Sequence, residues 1–106
     1  MKKEFELYEI IYLVKPNFTQ QEIAAKSEYY QKFLTKQGSQ VLAQNKGKRT
    51  LSYPIKGFES AHYIQMVYHG NKALINSLRQ ELKRDETVLR EINVRLEKRN
   101  NLTIEN

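Results

Sequence analysis

The spacing of apolar residues switches between a period of about 2 and one of about 3.6 in the order strand, helix, strand, strand, helix, strand, which few small folds accommodate. Residues 7–14, Leu-Tyr-Glu-Ile-Ile-Tyr-Leu-Val, are β-branched and aromatic with a single charge at Glu9, and they predict a central strand buried on both faces. Lys15-Pro16-Asn17 ends it. Thr19 and Glu22 have capping-box spacing, in which hydroxyl and carboxylate satisfy backbone donors at a helix start. The helix should run to Gln37, with Ile23, Tyr30 and Leu34 on its apolar side, Ala24 and Phe33 beside them, and Gly38 in the left-handed C-terminal position.

A second strand is expected over about residues 40–53, with a bend or bulge near residues 45–47. Lys56-Gly57 begins a turn. The third strand, about residues 61–68, sets Ile64, Met66 and Tyr68 on one face and Tyr63, Gln65 and Val67 on the other, and Gln65 marks the second face as the open one. Asn71 can cap a shorter helix with the stripe Leu74, Ile75, Leu78 and Leu82, closed by Lys83-Arg84 where the helix dipole favours cations. Residues 88–96 set Ile92, Val94 and Leu96 against Glu91, Asn93 and Arg95, as a half-exposed strand requires.

This order is that of the split βαβ, or ferredoxin-like, α+β fold: a four-stranded antiparallel sheet with two helices on one face. Residues 1–96 should form one such domain, because two separate cores in a chain of 106 residues would each be poorly stabilised; residues 97–106 read as a polar tail, mobile in the isolated protein. The other sheet face is left open. Ile11, Leu13, Tyr63 and Val67 point to it and would form an exposed apolar patch unless a partner covers them.

No cysteine is present, which excludes disulfides, thiolate metal sites and thiol nucleophiles and fits a reducing compartment. No apolar run approaches the roughly 20 residues that span a bilayer, and the start has no signal-peptide core, so a soluble intracellular protein is expected. The net charge of +6 favours a polyanionic partner. Its cations are spread along the chain rather than lining one amphipathic helix, which points to nucleic acid rather than membrane.

Residues 47–55, Gly-Lys-Arg-Thr-Leu-Ser-Tyr-Pro-Ile, join a basic turn to a strand. Leu51, Tyr53 and Ile55 alternate there with Thr50, Ser52 and Pro54, giving one apolar face that closes on a buried Tyr-Pro. Proline lacks an N–H, so the strand should end there or lie at an edge. Lys56-Gly57-Phe58, with Tyr63 beyond, partly matches the RNP1 motif of base-stacking sheets, but Glu59, Ser60 and Ala61 break it. The sheet face therefore reads as mainly protein-binding.

Tyr8-Glu9-Ile10-Ile11 with Lys15-Pro16, the 47–55 block, Ala61-His62-Tyr63 and Val88-Leu89-Arg90 occur in a succession that resembles the bacterial-type small-subunit ribosomal protein S-six family from about Tyr8 to Arg95. The resemblance implies a structural protein that binds the central domain of small-subunit ribosomal RNA together with ribosomal protein S-eighteen. It implies no catalysis, cofactor, metal or small-molecule substrate. Lys48 and Arg49 match the family's basic pair, Arg90 its fourth-strand arginine and Arg95 a basic position near that strand's end. Some members carry a long acidic C-terminal extension that this sequence, ending at Asn106, does not show. The implied location is the ribosome, in the cytoplasm or a plastid stroma.

For Lys48 and Arg49, phosphate contact stands against a solvated turn, and Arg49 suits phosphate better because its guanidinium can make two bonds. Arg90 reads equally as a phosphate contact or as half of an intramolecular ion pair. Lys2, Lys3, Lys98 and Arg99 are candidate RNA-binding arms or solvated charge. The alternative is an interaction module that self-associates through its open face without RNA. A hydrolase acting on acyl phosphates is more remote: Pro16-Asn17-Phe18-Thr19 stands where the acylphosphatase phosphate loop would need glycines, His62 and His69 fall on opposite nominal faces of a strand, and Asp85 sits in a turn with a capping or solvated role.

Overall fold

Six elements follow one another as β1 (Glu6–Val14), α1 (Gln20–Thr35), β2 (Val41–Ile55), β3 (Phe58–Gly70), α2 (Lys72–Arg84) and β4 (Val88–Arg95) in a computed structural model that describes residues 5–96. Each strand pairs antiparallel with its neighbours in the order β2-β3-β1-β4, the ferredoxin-like arrangement expected from the alternating periods. The tail at 97–106 and the cations Lys2, Lys3, Lys98 and Arg99 lie outside the described residues.

Local chemistry sets the helix ends. The Thr19 backbone N–H donates to Glu22 Oε1 at 2.8 Å and the Glu22 N–H donates to Thr19 Oγ1 at 3.1 Å, closing the capping box. Asn71 Oδ1 accepts from the Leu74 N–H at 2.9 Å and starts α2. α1 ends at Thr35, two residues before the expected Gln37, and Gly38 takes the left-handed conformation at φ 92°. Ala24 is exposed and does not belong to the apolar stripe, which consists of Ile23, Tyr30 and Leu34 with Phe33 packed beside them.

The main core lies between helices and sheet. Ile10, Tyr12 and Val14 of β1 and Ile64, Met66 and Tyr68 of β3 meet Ile23, Tyr30 and Leu34 of α1 and Leu74, Leu78 and Leu82 of α2. Full burial of each large aliphatic contributes about 1.5–3 kcal/mol, which holds both helices to one face. A smaller cluster of Leu13, Ala61 and Leu89, with Leu51, Ile55, Phe58 and Tyr63 against it, forms on the other side of the sheet. β1 is thus central, but only Leu13 is fully buried on that second side.

Three irregularities shape the sheet. Lys46 is an extra residue between Asn45, opposite Ile64, and Gly47, opposite Tyr63; Gly47 sits at φ 93° with its N–H on Asn45 Oδ1 at 2.8 Å. The stretch from Gly47 to Thr50 is therefore bulged strand rather than the expected basic turn. Farther along, four β2 residues lie between Thr50, opposite Ser60, and Ile55, opposite Phe58, where β3 has only Glu59. Pro54 sits in that bulge, where its missing N–H costs no ladder bond. Tyr53, expected to be buried, is 61% exposed there.

The third irregularity turns β4 over. Leu13 pairs with Arg90 but Val14 pairs with Val88, leaving Leu89 as the extra residue. Beyond this bulge Ile92 and Val94 face outward, while Glu91 and Asn93 face the helices: Glu91 lies 3.6 Å from Arg79 Nε, and the Tyr68 hydroxyl donates to Asn93 Oδ1 at 3.2 Å. The half-exposed strand is present with its apolar half on the open side, because one extra residue reverses strand parity.

β2 and β3 are joined by a two-residue turn, with Lys56 at φ 50° and Gly57 at φ 85°, the type I′ pattern that matches strand twist. A Cβ on Gly57 would meet no atom within 4 Å, so Gly57→Ala carries only the left-handed backbone penalty. It is expected to destabilise by about 1–2 kcal/mol, read as a lower thermal midpoint. An unchanged midpoint would show that the turn adopts another conformation.

Candidate interaction face

Strand register lays out the open face in rows. From β2 to β4 the first row is Leu42, Val67, Glu9 and Val94; the second is Gln44, Gln65, Ile11 and Ile92; the third is Gly47, Tyr63, Leu13 and Arg90. Leu42 is 69% exposed, Ile92 50% and Val94 48%, and Ile11, Tyr63 and Val67 are half-buried. Gln65 donates to a Glu9 carboxylate oxygen in the middle of the face, which ties the two polar side chains to each other. Apolar side chains thus flank one internally satisfied polar pair.

Ile11, Leu13, Tyr63 and Val67 all project from this face. Leu13 is only 3% exposed because Ala61 and Leu89 close over it, so it supports the surface from beneath. Leu42, Ile92 and Val94 are the additional apolar members. The β4 pair escaped the sequence reading because the Leu89 bulge cannot be read from alternation. Leu42 lay within the expected second strand, and its outward direction follows from its pairing with Val67.

The cations divide between the two sides. Arg49, opposite Ala61, projects to the open side, and its guanidinium lies 5.0 Å from the Tyr63 ring centroid. Arg90 reaches the same side from the opposite sheet edge, three strand spacings or about 14 Å away. It is exposed and has no ion pair among the described residues. Lys48 pairs with His62 and therefore points to the other side of β2 from Arg49. Arg95 lies 3.1 Å from Glu6, which offsets its charge. One face of Tyr63 is thereby occupied by Arg49, and Phe58, the aromatic of the partial RNP1 match, lies in the small cluster with the Lys15 ammonium 5.6 Å from its ring.

The two histidines and Asp85 have defined places in the fold. His62 is buried with Nε2 donating to the Pro16 carbonyl at 3.2 Å, whereas His69 pairs with Leu7 on the open side. Asp85 Oδ2 accepts from Lys26 Nζ and from the Tyr30 hydroxyl, both at 2.7 Å, and Oδ1 accepts from the Thr87 N–H and hydroxyl. Burial alone would raise the Asp85 carboxyl, but the bonds from Lys26, Thr87 and Tyr30 outweigh it and hold the carboxyl at about 2. Burial and then Asp85 itself push the Tyr30 hydroxyl well above the ordinary tyrosine range. Among the described residues there is no group of three or more metal-ligating side chains, and no helix is long and apolar enough to cross a membrane.

Such a chain is a small α+β protein whose polar chemistry is structural and whose outward sheet face offers apolar and cationic contacts. Comparison with known proteins gives the family. The profile of the family described as Ribosomal protein S6 matches residues 7–95. The chain is 42% identical over 84 residues to small ribosomal subunit protein bS6c of Guillardia theta, covering 78% of this chain and 88% of that protein. It is 33% identical over 96 residues to protein bS6 of Aquifex aeolicus, covering 89% and 87% respectively. The crystal structure of 30S ribosomal protein S6 from Thermotoga maritima superposes with a TM-score of 0.83 at 17% identity, covering 96% of this chain and 94% of that one, and shows the same fold. This chain belongs to the ribosomal protein S6 family, whose members are structural proteins of the small ribosomal subunit and not enzymes.

Proposed function

We propose that this protein, within the small ribosomal subunit, binds the central domain of small-subunit ribosomal RNA jointly with ribosomal protein S-eighteen. The observation that carries this reading is the open sheet face, where Leu42, Ile92 and Val94 stay exposed beside half-buried Ile11, Tyr63 and Val67. A contiguous exposed apolar surface on a small domain marks a protein contact. Arg90 at the β4 end of the third row and Arg49 beside it on β2 take the phosphate role, with Lys48 contributing from the other side of β2. Arg95 contributes less because Glu6 competes for it, and Lys2, Lys3, Lys98 and Arg99 are taken as further phosphate contacts. Similarity to the bS6c proteins of Guillardia theta and Porphyra purpurea supports a plastid stroma as the location, with the bacterial cytoplasm as the other candidate.

The test is a salt titration of binding to a central-domain RNA fragment with this protein, with S-eighteen and with both. Tighter binding by the pair is expected, with log affinity falling linearly against log salt. Arg49→Gln and Arg90→Gln should each reduce that slope by roughly 0.7–0.9. If the pair binds no better than either protein alone, joint docking is wrong. Absence of any salt-dependent RNA binding, together with concentration-dependent dimerisation, would favour self-association through the open face.

A further inference from the structure

We infer that the far end of the β2–β3 hairpin is a second RNA contact, in which Tyr53 stacks on an unpaired base while Lys56 and, farther along β2, Lys48 hold the adjoining phosphates. The inference rests on the proposed RNA-binding role and adds a site distinct from the open face. Its first support is the bulge. Between Thr50 and Ile55, β2 has four residues where β3 has only Glu59, and within them Leu51 turns inward to the small cluster while Tyr53 is 61% exposed. Bulges re-aim side chains, and this one directs a large aromatic ring to water between Leu51 and Ile55, which both pack against the small cluster. Pro54, beside it, stiffens the backbone and removes a donor that the bulge would otherwise leave unpaired.

Charge supplies the partner. From Tyr29 to Phe58 the sequence contains no aspartate or glutamate, while it carries Lys32, Lys36, Lys46, Lys48, Arg49 and Lys56. Six cations without a carboxylate in this stretch equal the net charge of the whole chain, +6, so the rest of the molecule is balanced and the excess is concentrated on α1's end and the β2 edge. Glu59, the residue after Phe58, is the one carboxylate of β3, and it is exposed across from the bulge. An exposed ring beside cations that outnumber the single facing carboxylate suits single-stranded nucleic acid, whose bases offer π faces and whose phosphates offer charge. A protein partner would instead favour the apolar open face, where carboxylate and amide are already satisfied.

The experiment uses the full chain with S-eighteen and the central-domain RNA fragment. Tyr53→Ala is expected to weaken RNA binding about tenfold or more without changing the salt slope, whereas Tyr53→Phe retains affinity because the ring remains. Lys56→Gln should lower the slope by roughly 0.7–0.9. Because Tyr53 is exposed, melting of Tyr53→Ala should match the parent, which separates lost stacking from lost fold. Parental affinity in Tyr53→Ala overturns the inference while leaving the proposed function intact. So does a loss of affinity for S-eighteen measured without RNA, which would make Tyr53 a protein contact. A parent complex that binds no RNA overturns both readings.

Discussion

Replacing Ile92 and Val94 together by lysine is expected to weaken association with S-eighteen, the proposed protein partner, by at least about a hundredfold while leaving the fold intact. Both side chains lie on an edge strand and are about half exposed, so the isolated protein loses little packing. Lysine at position 94 would stand directly opposite Glu9, where a cross-strand pair of opposite charge contributes roughly 0.2–1 kcal/mol. In a closed interface, the same two ammonium groups must be desolvated without partners. Several kcal/mol of such cost corresponds to two or more decades in affinity. The sign is diagnostic, because added cations strengthen RNA binding. If titration calorimetry shows unchanged affinity for the protein partner, or if RNA affinity of the protein alone rises sharply, this face meets RNA and not protein.

The order of elements was readable because each is specified locally. Thr19 with Glu22, Asn71 ahead of Leu74, and Lys56-Gly57 between two strands each bring their own hydrogen bonds or backbone preference, independent of the rest of the chain. The helix-facing residues of β3 were equally accessible, because Ile64, Met66 and Tyr68 alternate with Tyr63, Gln65 and Val67, and the unbroken β1–β3 register carries the same parity to Ile10, Tyr12 and Val14. Parity therefore placed Ile11, Leu13, Tyr63 and Val67 on the correct side of the sheet.

What escaped depends on register, which no local pattern carries. Alternation gave Ile92 and Val94 as one side of β4, but the extra residue Leu89 decides which side that is. Likewise the alternation of Leu51, Tyr53 and Ile55 suggested one buried face, and the four-against-one mismatch with Glu59 expels the middle member. Leu13 shows the converse: its side was right, yet its exposure depends on Ala61 and Leu89, which only the assembled sheet brings over it. Asp85 looked like a turn residue because its partners Lys26 and Tyr30 lie 59 and 55 residues away in the chain.

That carboxylate supports the second large expected effect: Asp85→Asn should lower stability by about 2–4 kcal/mol, because four donors converge on Asp85 and an amide brings donors of its own. The side chains of Lys26 and Asp85 are only 22% and 15% exposed, so the ammonium left behind is not freely solvated. The contact also ties α1 to the turn entering β4, the strand that carries Ile92, Val94 and Arg90. The folded-state carboxyl lies at about 2, below its ordinary 3.8, so its stabilisation is complete above 3.8 and disappears as pH falls through about 2. The shift corresponds to roughly 2 kcal/mol at neutral pH. Thermal midpoints of the parent should therefore fall between pH 4 and pH 2 more steeply than those of Asp85→Asn, and the two proteins should converge at the acid end. Parallel curves across that window, or equal midpoints at pH 7, would mean that the Lys26–Asp85–Tyr30 contact does not hold the helix layer to the β4 turn.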